Sequence, residues 1–261
     1  MTRHLASRAL SSLRLRRTVT VVGAFRSGTN VIARILGAQP GVTVAYNTFG
    51  WKHGYLSSHR MVPLRRLPRH RIVSVSKDPF AFVESFYRYV REREMNVAAP
   101  KDWEDFVTNP LEVFDQSEHT PTRIRYESPI HYWNAIYAHH LLLPERCFDV
   151  IHVRYDDLLN DTDATMRTVL TKLGRPLLDA PISLPVRAIP PSESHNVAKR
   201  ETGSSFDGGW HRERGYLDRF TDRQSGYVSG AVDPWVADRL GYGDVLEWGG
   251  DRRTAAVQAS A

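Results

Sequence analysis

The amino-acid sequence predicts an α/β fold of three layers, a parallel sheet flanked by helices. Short, continuous β-branched runs recur along the chain, and apolar patterns of helical period fall between and after them. Strands separated by helices are joined by crossovers, which give parallel pairing and a sheet covered on both faces. The 261 residues, 41% hydrophobic and 25% charged, are enough to bury one sizeable core without covalent help, which predicts a single domain. That domain is expected over 18–248, between a flexible basic tail (1–17) and a flexible C-terminal tail (249–261).

Strands are expected over 18–22, 42–45, 71–75 and 148–153. A helix over 30–37 follows a Gly-Thr turn. Within 80–95, Val83, Phe86, Tyr87 and Val90 repeat at i, i+3, i+4, i+7 and give one apolar stripe. Residues 129–143 read as a further helix. Met166, Val169, Leu170 and Leu173 mark a fourth, stopped by Gly174, and 223–240 reads as the last. Five prolines break every period over 175–191, and 192–209 is rich in Ser, Gly and charge, so a long functional loop is expected there.

Cys147 is the only cysteine, so neither a disulfide framework nor a thiolate zinc cage can form, and a reducing, cytoplasmic setting is expected. The formal charge of +6 favours anionic partners. Residues 1–17 carry five arginines but neither an acidic residue nor an apolar secretory stretch. Without interleaved aromatics that tail is not expected to bind nucleic acid, and a weak contact with a membrane surface is left open. No run reaches the roughly 18 apolar residues of a bilayer span. The oligomeric state is not readable.

Two constellations point to a nucleotide. The first strand runs straight into Gly23-Ala24-Phe25-Arg26-Ser27-Gly28-Thr29-Asn30 and then a helix, the context of a P-loop-like phosphate cradle: glycines let backbone amides turn onto an oxyanion, and the helix N-terminus adds partial positive charge. Thr29 stands where a nucleotide triphosphatase has Lys, and Asn30 where it has the hydroxyl that holds Mg²⁺. The positive charge has moved to Arg26, whose planar fork grips a phosphate or sulfonate by itself. No metal is expected. The second constellation is Lys77, at the carboxyl end of a strand, with Ser85 eight positions later in the next helix, beside the Arg26 loop.

Arg26-Ser27-Gly28-Thr29 after a strand, then Lys77-Asp78-Pro79 with Ser85 at plus eight, resembles the PAPS-dependent sulfotransferase family (PAPS, 3′-phosphoadenosine 5′-phosphosulfate; PAP, the product). Val153-Arg154-Tyr155-Asp156-Asp157-Leu158 and the Leu240-Gly241-Tyr242 end are similar to later parts of it. The resemblance implies that Arg26, Ser27, Gly28, Thr29 and Asn30 hold the 5′-phosphosulfate, Lys77 and Ser85 the 3′-phosphate, and that Tyr155 lies near the adenine. Lys77 replaces the family's usual arginine, and Val31 the tryptophan of its cytosolic members. Lys199 and Arg200 loosely match the basic loop that closes over the 3′-phosphate.

Sulfonate transfer needs a base for the acceptor proton and a cation for the departing oxygen. Phe49-Gly50-Trp51-Lys52-His53-Gly54 offers both, His53 as base and Lys52 as cation, provided the flanking glycines bend the chain so that neighbours share one site. Glu84 and Glu127 are reserve bases. His131, His139 and His140 read as helix surface or satisfied core. The expected activity is transfer of a sulfonate from PAPS to a hydroxyl or amine of an acceptor, a carbohydrate or small molecule being favoured. The rivals are a catalytically inactive PAPS/PAP- or glycan-binding protein of the same fold and a P-loop nucleotide kinase.

Overall fold

The computed structural model describes residues 18–45, 47, 49–56, 70–92, 96–116, 122–143, 148–177, 179–185 and 208–247. The expectations for 1–17, for 249–261, and for Lys199 and Arg200 lie outside the described residues.

Four strands, β1 (Thr18–Val22), β2 (Thr43–Ala45), β3 (His70–Ser76) and β7 (Phe148–Arg154), form a parallel sheet in the order β2-β1-β3-β7. Helix α1 (Thr29–Gly37) follows β1, α2 (Pro79–Glu92) follows β3, and α5 (Tyr155–Asn160) and α6 (Thr162–Lys172) follow β7. The α/β architecture expected from the sequence is the one observed.

Alternation along the strands sorts the core into two layers. Val19, Val21, Val73, Val75, Ile151 and Val153 pack on one face against Ile32, Leu36, Leu158, Val169 and Leu170. The opposite face carries polar residues within the sheet, Thr20, Ser74 and Ser76, all buried. Such groups need partners there, and Ser74 and Ser76 find theirs on helix α4 (Pro129–Leu142) and at Tyr242: Ser74 Oγ lies 2.9 Å from His140 Nδ1 and Ser76 Oγ donates to the Tyr242 hydroxyl at 3.4 Å.

The segment without a sequence expectation, 96–126, is a second, antiparallel sheet. Strands β4 (Val97–Ala98), β5 (Leu111–Asp115) and β6 (Thr122–Tyr126) pair in that order, with α3 (Trp103–Thr108) between the first two. Its apolar side, Val97, Leu111, Val113 and Tyr126, joins the core built on α2 and α4.

The single helix expected over 223–240 is two. Helix α7 (Gly208–Arg212) and a 3₁₀ turn (Gly215–Arg219) lead to α8 (Asp222–Ala231), closed at its start by a Thr221–Gln224 capping box. Asp233 then caps α9 (Pro234–Leu240) by accepting from the amides of Trp235 and Val236. Pro234 cannot donate to the preceding turn, so it ends one helix and begins the next.

Candidate functional site

Strand β1 lies between β2 and β3, so the chain leaving β1 goes to one side and the chain entering β3 comes back on the other. Helix α1 packs on one face and α2 on the opposite one. The carboxyl ends of β1 and β3 are adjacent, with Val22 opposite Ser74, and the connections diverge there, the place where open α/β sheets bind their ligands. The Arg26 loop and Lys77 both stand at this switch point.

The loop from Gly23 to Gly28 is held in a tight bend. Arg26 (φ 62°) and Gly28 (φ 95°) both adopt left-handed backbone, which for Arg26 costs of order 1 kcal/mol. Ser27 folds back, its amide and its hydroxyl both donating to the Ala24 carbonyl, at 3.3 and 2.8 Å. A Cβ at Gly23 would run into Ser27 Oγ and the Val75 carbonyl, and one at Gly28 into the Tyr155 ring. Gly28 precedes α1 without offering a side-chain cap, its carbonyl taking the Val31 amide at 3.0 Å, and a helix N-terminus of this kind favours an anion.

The second element is a helix start. Asp78 caps α2, its carboxylate accepting the Ala81 amide at 2.9 Å, and Pro79 is the first helical residue. This puts Lys77 just ahead of the cap, only 4% exposed, with its carbonyl taken by Trp133 Nε1. Its ammonium donates to Ser85 Oγ at 3.1 Å and sits 4.5 Å over the Tyr155 ring. Ser85 passes its own proton to the Ala81 carbonyl at 2.6 Å, leaving its oxygen to accept. Burial, then the Arg26 charge, brings Lys77 down from 10.5 to about 7. Burial and the nearby Asp156 push Asp78 up from 3.8 to about 7.

The Lys52-His53 turn meets the glycine condition. Gly50 takes φ 144°, and the turn closes with the Gly54 amide on the Trp51 carbonyl at 3.0 Å, so both neighbours reach the loop. Lys52 Nζ donates to Asn30 Oδ1 at 2.6 Å, which places a protein cation beside the residue that replaces a metal-holding hydroxyl. His53 Nδ1 lies 2.8 Å from the Gly23 carbonyl. A carbonyl only accepts, so that nitrogen carries the proton and Nε2 is the ring's acceptor. Burial, reinforced by the Lys52 charge, lowers His53 from 6.5 to about 3 and keeps it neutral. Its ring stacks on Phe25, centroids 4.7 Å apart.

Arg26, Lys52, His53, Lys77, Ser85 and Tyr155 are thus neighbours around the β1–α1 loop, Arg26 acting electrostatically on His53, Lys77 and Tyr155 alike. Sequence reasoning missed His211 of α7. Its ring meets Tyr155 edge-on at 6.0 Å, and burial with the Lys77, Arg88 and Arg26 charges lowers it to about 3. No periodicity surrounds it, so nothing in the chain flagged it.

Both reserve bases are occupied elsewhere. Glu84 is 1% exposed and clamped by Arg88 at 2.9 Å and Arg219 at 3.0 Å. Glu127 is a surface group, paired with His131 at 3.5 Å. Among the described residues no group of three or more His, Cys, Asp or Glu side chains could hold a metal ion, and no helix is long and apolar enough to cross a membrane.

A parallel sheet flanked by helices, with a glycine-bounded loop between β1 and α1 at its switch point, defines the class as a P-loop-like α/β fold. No family model and no curated protein matches the chain. Among solved structures it is similar to the mouse sulfotransferase SULT7A1 complexed with PAP, with a TM-score of 0.52 and 14% identity over 90% of this chain and 89% of that one. The chain has the sulfotransferase-like α/β fold.

Proposed function

We propose that this protein is a PAPS-dependent sulfotransferase acting on a hydroxyl or amine of a carbohydrate or small-molecule acceptor. The observation that supports the reading is the clustering, around one arginine-bearing βα loop, of a buried Lys77–Ser85 pair and a neutral histidine beside a lysine. The solved structure with the same fold is a sulfotransferase with PAP bound.

The residues fit such a nucleotide. Gly28 lets the Tyr155 ring pack directly on the loop where any Cβ would clash, and Lys77 is a buried cation given a hydroxyl and an aromatic face. Burying an ammonium is costly without a partner anion. When bound, PAPS supplies an activated sulfonate. The loop from Arg26 to Asn30 would hold its 5′ end by backbone amides and the Arg26 fork, while Lys77 and Ser85 would bind the 3′-phosphate and Tyr155 would wall the space between. Lys52 would meet negative charge developing beside Asn30. His53, neutral with Nδ1 donating to Gly23, would take the acceptor proton on Nε2. Anion binding next to Lys52 and Arg26 offsets the two charges that depress His53 and makes it a stronger base when the site is loaded.

The test is sulfonate transfer from radiolabelled PAPS over a broad acceptor panel in chelator-containing buffer. Transfer undiminished by the chelator is expected. Strict Mg²⁺ dependence would favour a kinase, and tight PAP binding without transfer to any acceptor would favour a binding protein of the same fold.

A further inference from the structure

Two tyrosines of α4, both fully buried, reach the second and third amides of the Gly23–Gly28 loop. The Tyr137 hydroxyl accepts the Ala24 amide at 3.3 Å and donates to the Val75 carbonyl at 2.8 Å. The Tyr132 hydroxyl accepts the Phe25 amide at 3.2 Å and donates to the His53 carbonyl at 2.7 Å. The directions are forced, because a phenol has one proton, a carbonyl only accepts and an amide only donates. Ala24 and Phe25 therefore spend their amides on the protein, and anion binding falls to the loop beyond them.

The two hydroxyls do different work. Tyr137 ties the loop to strand β3, whereas Tyr132 ties it to the turn that carries His53. The same turn is bound to the loop by the Gly23 amide on the Lys52 carbonyl at 2.9 Å and by His53 Nδ1 on the Gly23 carbonyl. The Phe25 ring, whose amide Tyr132 holds, is the ring on which His53 stacks. Helix α4 thus fixes both the main chain of His53 and the surface its imidazole lies on, with α4 itself anchored by Trp133 Nε1 on the Lys77 carbonyl.

We propose, resting on the sulfotransferase reading above, that Tyr132 is a positioning residue that locks the His53 turn to the phosphate loop, so that base and sulfonate cradle hold one geometry. A misplacement of about 1 Å in a reacting pair can cost a hundredfold in rate. Tyr132 touches no reacting atom. Its effect runs through His53.

The experiment compares Tyr132→Phe with Tyr137→Phe, which loses a similar hydroxyl from the same helix without a bond to the His53 turn. For Tyr132→Phe, kcat is expected to fall ten- to a hundredfold with KM for PAPS changed less than about threefold. The nitrogen resonances of His53, read by ¹⁵N NMR on the nucleotide-free protein, should leave the pattern of a proton fixed on Nδ1. Tyr137→Phe should shift KM for PAPS and leave those resonances in place. An unchanged kcat in Tyr132→Phe, or equal losses of kcat in both variants, overturns the proposal. If Tyr132→Phe does not fold, 3-fluorotyrosine at position 132 keeps the shape and alters the hydroxyl, and His53 resonances that stay still then overturn it. A wild-type protein that transfers no sulfonate while its His53 signal responds to Tyr132→Phe contradicts the function and leaves the tether standing.

Discussion

The Lys77 ammonium and the Ser85 hydroxyl, eight residues apart in sequence, meet at 3.1 Å across the start of α2, both almost wholly buried. On the proposed reading, that lysine binds the 3′-phosphate. Lys77→Met is expected to weaken PAP binding about ten- to a hundredfold, the worth of a hydrogen bond to a charged group, and Ser85→Ala about fivefold. Titration calorimetry reads both, and unaltered affinity in Lys77→Met would remove the clamp from the site.

The same lysine sets a pH dependence. Its folded value of about 7 lies below the ordinary 10.5, so between those values the unfolded chain still holds a proton that the folded one has released. Stability of the nucleotide-free protein therefore gains as pH rises through that window. Asp78, raised from 3.8 to about 7, gives stability that is full below 3.8 and lost as pH rises through 7. The summed contribution of these two groups is lowest near pH 7, and Lys77→Met should weaken the rise in stability on the alkaline side of a denaturation series. PAP affinity runs the opposite way above pH 7, falling up to tenfold per unit because the anion needs the ammonium.

His53→Gln should lower kcat by about a hundredfold or more, the usual worth of a general base, with PAP affinity changed little. The Lys52 and Arg26 charges that depress His53 are met by an anion in the loaded site. Burial, the largest cause of the depression, stays, so the acidic limb of kcat is expected above the value of about 3 held by the nucleotide-free protein but below 6.5, and a pH–rate profile in saturating PAPS measures it.

Glu84 distinguishes a structural carboxylate from a catalytic one. Truncating a buried group clamped by two arginines costs about 3 kcal/mol, discounted because Arg88 and Arg219 are 49% and 37% exposed at the side chain. Glu84→Gln should lower the melting temperature by several degrees while kcat per folded molecule stays within about twofold. A large loss of kcat without a thermal shift would make Glu84 the base.

Much of this was legible because the residues concerned sit next to strong local signals. Thr18–Val22 is short, apolar and followed at once by a glycine loop, and Lys77 breaks an apolar run where a strand must end. The antiparallel sheet was hidden because β4 has two residues and the buried face of β5 ends in a carboxylate, Asp115, which accepts the Tyr55 amide at 3.1 Å. In β6 the arginines at 123 and 125 face water and only Tyr126 is buried. Tyr132 and Tyr137 read as ordinary core aromatics, since a helix apolar on nearly every side gives no cue that two hydroxyls reach backbone amides. Glu84 was ambiguous for the opposite reason: its partner Arg219 lies 135 positions away.

The reversal of strand order at β1 has a consequence for how the protein can change. The switch point beside Arg26 and Lys77 arises because one connection departs to one side of β1 and the next returns on the other, which no single replacement can undo. Exchanging the charged side chains would alter what settles there while the architecture went on supplying the same parting of the chain. A lineage of such chains can therefore trade a lysine for an arginine, or lose turnover altogether, and still inherit the place where an anionic guest would dock.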